Sequence, residues 1–158
     1  MQGHVVPTHI GVDLFLPLAV GVATTLATIL IHATALATIV DFFRHERRLG
    51  RAGVRFWRDV AIVAGVTLLG LAAHLVEIAT WALVFELCAE FPSFATAFYC
   101  SAENYTTLGY GDVIMSPAWR LLGPLEAADG MLMFGVTTAM IFTIIQRLIQ
   151  TRFHDSNN

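Results

Sequence analysis

The seven residues 106–112 read TTLGYGD and combine hydroxyl groups, two glycines and a closing carboxylate. Gly109 and Gly111 can take left-handed backbone angles without a Cβ clash, so this run can form an irregular main chain. At membrane depth such irregular backbone survives only where protein or water surrounds it. The run is therefore a candidate functional segment, provided that flanking elements hold it in place.

A second group of polar residues lies inside apolar stretches. His74, Glu77 and Trp81 share one helix face at spacings i, i+3 and i+7, and His32 lies at a comparable depth in an earlier stretch. Histidine titrates near neutral pH, which allows a pH-sensing cluster. Histidines on two helices could instead ligate haem in a redox membrane subunit. A structural alternative is hydrogen bonding between the second stretch and the threonines of the first, which are Thr24, Thr25, Thr28 and Thr34.

The composition identifies the element type that must position these residues. The chain has 158 residues, of which 56% are hydrophobic and 13% charged, and its mean hydropathy is +0.68. These values are typical of a membrane protein with a single domain, here residues 1–158. Two cysteines exclude a disulfide framework, and a net charge of −3 gives no indication of a nucleic-acid partner.

Three stretches are long and apolar enough to cross a bilayer as helices, which takes about 20 residues each. They are residues 14–40, 60–89 and 125–149. The third stretch carries Glu126 and Asp129 at its start, and Glu86 and Glu90 lie near the end of the second. If exposed, these four carboxylates would concentrate cations on the outer side; otherwise they would serve structural hydrogen bonding.

Between the second and third spans, residues 93–105 are predicted to form a short helix, with Pro92 and Ser93 as start signals. The TTLGYGD run follows this helix directly. A half-length helix followed by glycine-rich backbone between two spans indicates a re-entrant segment. We therefore expect an all-α membrane fold with three transmembrane helices and a re-entrant pore helix.

Eight of the nine arginines fall on one side of such a three-span chain, and the sequence has no lysine. The positive-inside rule makes that side cytoplasmic and places the amino terminus and residues 106–112 outside, in a plasma or inner membrane. A secretory signal peptide is not expected, because no positive residue precedes the first apolar stretch. The eight residues are Arg44, Arg47, Arg48, Arg51, Arg55, Arg58, Arg147 and Arg152.

The short helix, the TTLGYGD run and the glycine-containing third span together resemble the potassium-channel pore family. The resemblance extends from Glu90 to about Gln150, and Leu108 departs from the commoner valine. It implies that residues 106–112 are a selectivity filter and that four identical chains close around one axis. It also implies a non-enzymatic protein whose only bound cofactors are K⁺ ions in the filter.

The resemblance assigns the filter residues their roles. Ion-binding main-chain carbonyls, with the Thr107 hydroxyl, are implied for Thr107, Leu108, Gly109 and Tyr110, and Gly111 completes the ion-binding segment. Pointing successive carbonyls at one axis requires alternating backbone handedness, which Gly109 and Gly111 permit. The aromatic residues Phe98 and Tyr99 would support the Tyr110 ring. The supporting residues implied for the filter are Thr106, Glu103, Asp112 and Tyr99.

The resemblance places Glu103 beside Asp112 behind the filter. Two adjacent carboxylates do not both ionise readily, so we hypothesise a shared proton that steadies the filter. The alternative is that Glu103 faces a water pocket.

In the third span, Gly130 lies close to the family's hinge glycine, and Gly135 offers a second flexible point. Both glycines could instead serve close helix packing. Phe134, Thr138 and Phe142 share one helix face and are expected to line the pore cavity.

The basic linker, residues 41–58, could be a voltage sensor, but Glu46 and two glycines interrupt it. A cytoplasmic interfacial helix fits better, with Val54 and Trp57 toward lipid and Arg44 through Arg58 toward anionic headgroups. The function expected from the sequence is passive, potassium-selective conduction through a homotetramer in a lipid bilayer. The alternatives are a weakly selective cation channel and a non-conducting membrane subunit that uses the histidines.

Overall fold

The computed structural model describes residues 14–50, 52–53 and 55–155, with side chains through Arg152. These residues form four helices and no strand: α1 (Phe15–Arg48), α2 (Phe56–Leu87), α3 (Phe94–Tyr105) and α4 (Leu122–Asp155). Helices α1, α2 and α4 are long and apolar enough to cross a membrane, which confirms the predicted all-α membrane fold. The expectations for Arg51, Val54 and the amino terminus lie outside the described residues.

Both α1 and α4 are longer than a bilayer requires. Each has 34 residues, and at 1.5 Å per residue each reaches about 51 Å, against a hydrocarbon core of about 30 Å. The separate interfacial helix predicted within residues 41–58 is wrong. Arg44 and Arg47 belong to the last turns of α1, because nothing between Val40 and Arg48 interrupts a helix, and Arg58 already belongs to α2.

The turn between α1 and α2 packs against the end of α4. The main chain of Gly53 has φ +81°, and a Cβ there would lie 2.8 Å from the Thr151 side chain. The Gly53 amide donates to Asp59 at 2.8 Å, and Asp59 also pairs with Arg152 at 2.6 Å. These contacts join the ends of the three long helices, and we call this part of the molecule the arginine end.

Helix α3 is wedged between α2 and α4 at the opposite end. It begins as predicted, because Ser93 is its N-cap and accepts a hydrogen bond from the Thr96 amide at 3.3 Å. Its 12 residues reach about 18 Å, little more than half of the hydrocarbon core. The core around it includes Trp81, Phe85, Ala97, Tyr105 and Leu122.

Helix α4 begins three residues before the predicted start at 125. Pro124 lies in its first turn, where an amide has no partner within the helix, so proline is tolerated there. The polar residues after Ile149 continue the helix to Asp155. The turns that lead into α4 therefore end at Leu121.

Candidate functional site

The chain leaves α3 through a tight hydrogen-bonded turn. The Thr107 amide donates to the Asn104 carbonyl and the Leu108 amide to the Glu103 carbonyl, each at 2.9 Å. These two bonds are those of a Schellman motif, whose turning residue takes left-handed angles and is usually glycine. Here that residue is Thr107, with φ +59°. A β-branched residue rarely adopts this conformation, so the end of α3 is strained where the run 106–112 begins.

Left-handed angles then recur at every second residue. Gly109 has φ +55° and Gly111 has φ +75°, whereas Leu108 and Tyr110 stay outside the left-handed region. A Cβ on either glycine would meet nothing within 4 Å, so the backbone angle and not crowding requires glycine. The alternating handedness expected of this run is present from Thr107 to Gly111.

The side chains of the run project away from the body of the chain. The exposed fraction is 56% for Leu108 and 72% for Tyr110. The expected support of the Tyr110 ring by Phe98 and Tyr99 is not made within one chain: Phe98 packs against Phe94 at 6.0 Å between ring centroids. Any support of Tyr110 by Phe98 must therefore come from a second copy of the chain.

Tyr99 contacts the other end of the run. Its hydroxyl donates to Asp112 at 3.1 Å. The nearby Glu103 carboxylate raises the pKa of the Tyr99 phenol above its usual value, and the Asp112 carboxylate adds a smaller effect in the same direction. The phenol therefore keeps its hydrogen. Glu103 itself is buried, and its Oε1 has no hydrogen-bond partner among the described residues. The structure thus joins Tyr99 to Asp112 at the end of the run, while the sharing of a proton between Glu103 and Asp112 stays a prediction.

A contact that the sequence did not indicate fixes the segment after the run. Both carboxylate oxygens of Glu90 accept hydrogen bonds from Ser116, at 2.6 Å from the amide and 2.7 Å from the hydroxyl. Glu90 follows α2 directly, and 26 residues separate the two partners, so no local spacing pattern could have paired them. A cavity of about 620 Å³ lies between the run and α3 and α4, lined in part by Glu103, Asn104, Thr107 and Arg120.

The third span packs closely against the end of α3. A Cβ at Gly130 would lie 2.1 Å from the carbonyl oxygen of Tyr105, so only glycine fits this crossing. This contact supports the packing alternative for Gly130. At Gly135 a Cβ would meet nothing within 4 Å, so packing within one chain does not require that glycine.

Phe134, Thr138 and Phe142 lie along one side of α4, and all three are exposed in the single chain. Phe134 also packs against the rings of His74 and Tyr105, with centroids 4.4 Å and 5.5 Å away. The pore-lining role expected for these three residues stays a prediction.

Comparison with known protein families shows to which family the chain belongs. A family model described as an ion channel matches residues 60–147, more than half of the chain. The chain belongs to this ion-channel family. The matched residues contain most of α2, all of α3, the run 106–112 and most of α4, whereas α1 lies outside the match. No curated protein and no solved structure matches the chain.

Two of the carboxylates expected near the channel mouth are buried instead. Glu126 accepts a hydrogen bond from Ser101, and Asp129 is held by the Thr28 hydroxyl at 2.6 Å and the Trp81 indole at 3.0 Å. Their exposed fractions are 0% and 1%, so they cannot concentrate cations in water. They bind the helices of the channel together around α3.

The intramembrane histidines also lie in a hydrogen-bonded cluster. His32 contacts Glu77 at 2.8 Å, so α1 and α2 are hydrogen-bonded as the structural alternative expected. The direct partner is His32 and not a threonine, because Thr28 bonds to Asp129 of α4. The rings of His32 and His74 have centroids 5.4 Å apart, and Glu77 and Thr137 contact nitrogens of both rings. A haem between the two rings would have to displace both of these partners, so the arrangement does not fit haem.

Proposed function

We propose that this channel conducts potassium selectively, with four identical chains around one axial pore. The observation that carries the proposal is the backbone of residues 107–111, where left-handed angles at Thr107, Gly109 and Gly111 alternate with ordinary ones. Such alternation turns successive carbonyl oxygens toward the same side of the strand. Membership of an ion-channel family supports a transport role for these oxygens.

The proposed mechanism starts from the cost of dehydrating a cation. A monovalent ion enters a narrow pore only if oxygen atoms already in place substitute for its water shell. The carbonyls of Thr107, Leu108, Gly109 and Tyr110, with the Thr107 hydroxyl, supply these oxygens in stacked rings. Neighbouring rings let one ion displace the next, so conduction stays passive and follows the electrochemical gradient.

A homotetramer follows from the same geometry. One chain supplies only one line of carbonyls, and closure around an ion requires several copies related by cyclic symmetry. The exposed filter and the exposed face of α4 with Phe134, Thr138 and Phe142 would then face the axis. The carboxyl end of α3 points toward this region, where its partial negative charge favours a cation. The arginine distribution supports a cytoplasmic arginine end and an external filter, with anionic lipid near Arg44 to Arg58.

Ion flux into liposomes that contain the purified protein tests this proposal. We expect potassium flux, and reversal potentials in mixed potassium and sodium solutions that lie close to the potassium equilibrium potential. The variant Gly111→Ala should abolish selective flux, because alanine disfavours φ +75°.

Gly65→Ala is the matched control. Gly65 lies in α2, and a Cβ there would make ordinary contact with Phe42 at 3.6 Å, so flux should persist. Equal permeability to sodium and potassium would replace the proposal by the weakly selective cation channel. Absence of flux in the unmodified protein, with tetramers present, would overturn conduction itself.

A further inference from the structure

Three buried side chains from two helices bring potential metal ligands together. His32 of α1 and His74 and Glu77 of α2 have exposed fractions of 3%, 4% and 0%. The Nδ1 atom of His32 lies 2.8 Å from Oε1 of Glu77, and the Nδ1 atom of His74 lies 3.3 Å from Oε2. One ligand atom from each residue lies within 4.8 Å of the other two.

The outer nitrogens of both rings converge on one hydroxyl group. Oγ1 of Thr137 in α4 lies 3.2 Å from Nε2 of His32 and 3.1 Å from Nε2 of His74. A hydroxyl oxygen can accept two hydrogen bonds, so both Nε2 atoms can carry the ring hydrogen. The Nδ1 lone pairs of His32 and His74 then face Oε1 and Oε2 of the Glu77 carboxylate, respectively.

If each Nδ1–H donates to one Glu77 oxygen instead, the single Thr137 hydrogen can reach only one of the two Nε2 atoms. A mixed assignment of hydrogens leaves a conflict as well. If His32 Nδ1 donates to Glu77 and Thr137 donates to His32 Nε2, the His74 Nδ1 atom still faces Glu77 Oε2 and the Tyr105 hydroxyl. The Tyr105 hydroxyl also donates a hydrogen bond to that oxygen, Glu77 Oε2. Its single hydrogen must then serve both Glu77 Oε2 and His74 Nδ1. Each assignment with neutral rings leaves one nitrogen lone pair facing an oxygen, which a proton or a metal ion would relieve, and the donors of this cluster suit a metal ion.

We infer that His32, His74 and Glu77 bind a divalent first-row transition metal ion, with Zn²⁺ as the best fit. Two imidazole nitrogens and a carboxylate are zinc ligands, and tetrahedral bonds of about 2.0–2.2 Å place neighbouring ligand atoms about 3.3 Å apart. One ligand atom from each of the three residues lies within 4.8 Å of the other two, so small side-chain shifts would bring them to that spacing. The Tyr105 hydroxyl donates to Glu77 Oε2 and so orients the carboxylate from outside the ligand set, and a water molecule would complete four-coordination.

The surroundings match what metal-bound histidine requires. A ligating histidine donates its other ring N–H to a nearby acceptor, which fixes the ring orientation, and Thr137 can provide that acceptor for both rings. Potassium and magnesium prefer oxygen ligands, so the two imidazoles favour a transition metal over the conducted ion. The site would join α1, α2 and the last residue of α3, next to the filter. The proposed metal site does not depend on potassium selectivity. One of its ligands, His32, belongs to α1, which lies outside the residues that the family model matches.

The experiment measures the metal content of the complete protein, because a buried site loads while the chain folds. Cells grown with supplemented Zn²⁺ supply protein that is purified in detergent and washed with EDTA, and its zinc is counted by mass spectrometry. We expect about one zinc per chain that resists the wash. Growth with Co²⁺ should give the visible absorption of a four-coordinate ion, and X-ray absorption should count two imidazole ligands.

Variants locate the metal. His32→Gln and His74→Gln should each lose at least nine-tenths of the retained zinc, whereas His45→Gln, an exposed histidine at the end of α1, should keep it. If His32→Gln or His74→Gln fails to fold, the zinc content and the number of imidazole ligands in the unmodified protein still test the proposed site. Protein with less than a tenth of an equivalent would overturn the site and leave a proton as the positive centre. Retained zinc in a protein that shows no potassium flux would refute the proposed conduction but would support the metal site.

Discussion

At the scale of single residues, Thr107 shows backbone strain at the position where the proposed function needs a hydroxyl. Thr107→Gly should relieve left-handed strain of about 1 kcal/mol, and the thermal unfolding midpoint of the channel in detergent should rise. Potassium flux should fall, because the ring of hydroxyls at the inner end of the filter is lost. The measurement pairs an unfolding curve with liposome flux for each variant.

Thr106→Gly is the matched control for this substitution. Thr106 has φ −83°, so glycine there relieves no strain and should lower the unfolding midpoint. A Thr107→Gly channel that unfolds earlier than the unmodified protein would contradict the strain argument.

The hydroxyl of Tyr99 gives a second prediction at this scale. Tyr99→Phe removes the hydrogen bond that holds Asp112 at the end of the run. We expect a several-fold loss of potassium flux, most evident at low potassium where fewer ions hold the filter in shape. If Glu103 and Asp112 share a proton, Glu103→Gln should change how flux depends on pH. Unchanged flux in Tyr99→Phe and an unchanged pH series in Glu103→Gln would refute these two expectations.

The sequence was informative about backbone requirements and less so about charge. The glycines at 109 and 111 predicted the alternating main chain, because φ depends on the residue itself. Glu126 and Asp129 could not be assigned from sequence, since a carboxylate near a helix start can face water or buried donors. Only the folded chain shows that Ser101, Thr28 and Trp81 supply those donors.

At the scale of helices, the crossing of α3 and α4 rests on Gly130. Gly130→Ala places a Cβ 2.1 Å from the Tyr105 carbonyl oxygen, which is backbone and cannot rotate away. We expect a loss of unfolding free energy of more than about 2 kcal/mol and a weaker tetramer. Unfolding curves and native mass in detergent measure both effects.

Gly135→Ala is the control and also tests bending. A Cβ there meets nothing within 4 Å, and alanine favours a helix by about 1 kcal/mol over glycine, so stability should be kept or raised. If α4 bends at Gly135, flux should fall while stability does not. Equal destabilisation by the two substitutions would contradict the close-packing role of Gly130.

Helices could be predicted from the apolar stretches, while their ends depend on contacts between distant segments. Residues 93–105 were predicted from a capping serine, a local signal, and α3 follows that prediction closely. The ends of α1 and α4 were missed because polar residues can continue a helix beyond the membrane. The arginine end is stabilised there by the Asp59 and Arg152 pair, whose partners lie 93 residues apart.

At the scale of the whole molecule, the place of α1 is the feature that the sequence did not predict. Helix α1 packs against α2 and α4 through Thr28, His32 and a second apolar core that includes Ile39 and Phe43. Its outer side remains apolar, as Leu26 and Leu30 show with exposed fractions of 58% and 69%. Helix α1 therefore suits the lipid-facing side of the assembly, which leaves α4 and the filter for the axis.

That arrangement predicts which positions react with water-borne reagents in the assembled channel. Thr138→Cys places a thiol on the exposed face of α4, so a charged thiol reagent applied at the arginine end should reach it and suppress most potassium flux. Leu26→Cys places a thiol on α1, where lipid should exclude the reagent and flux should persist. The unmodified protein controls for its two free thiols, Cys88 and Cys100. Suppression of flux through Leu26→Cys but not through Thr138→Cys would place α1 at the axis and require a different assembly.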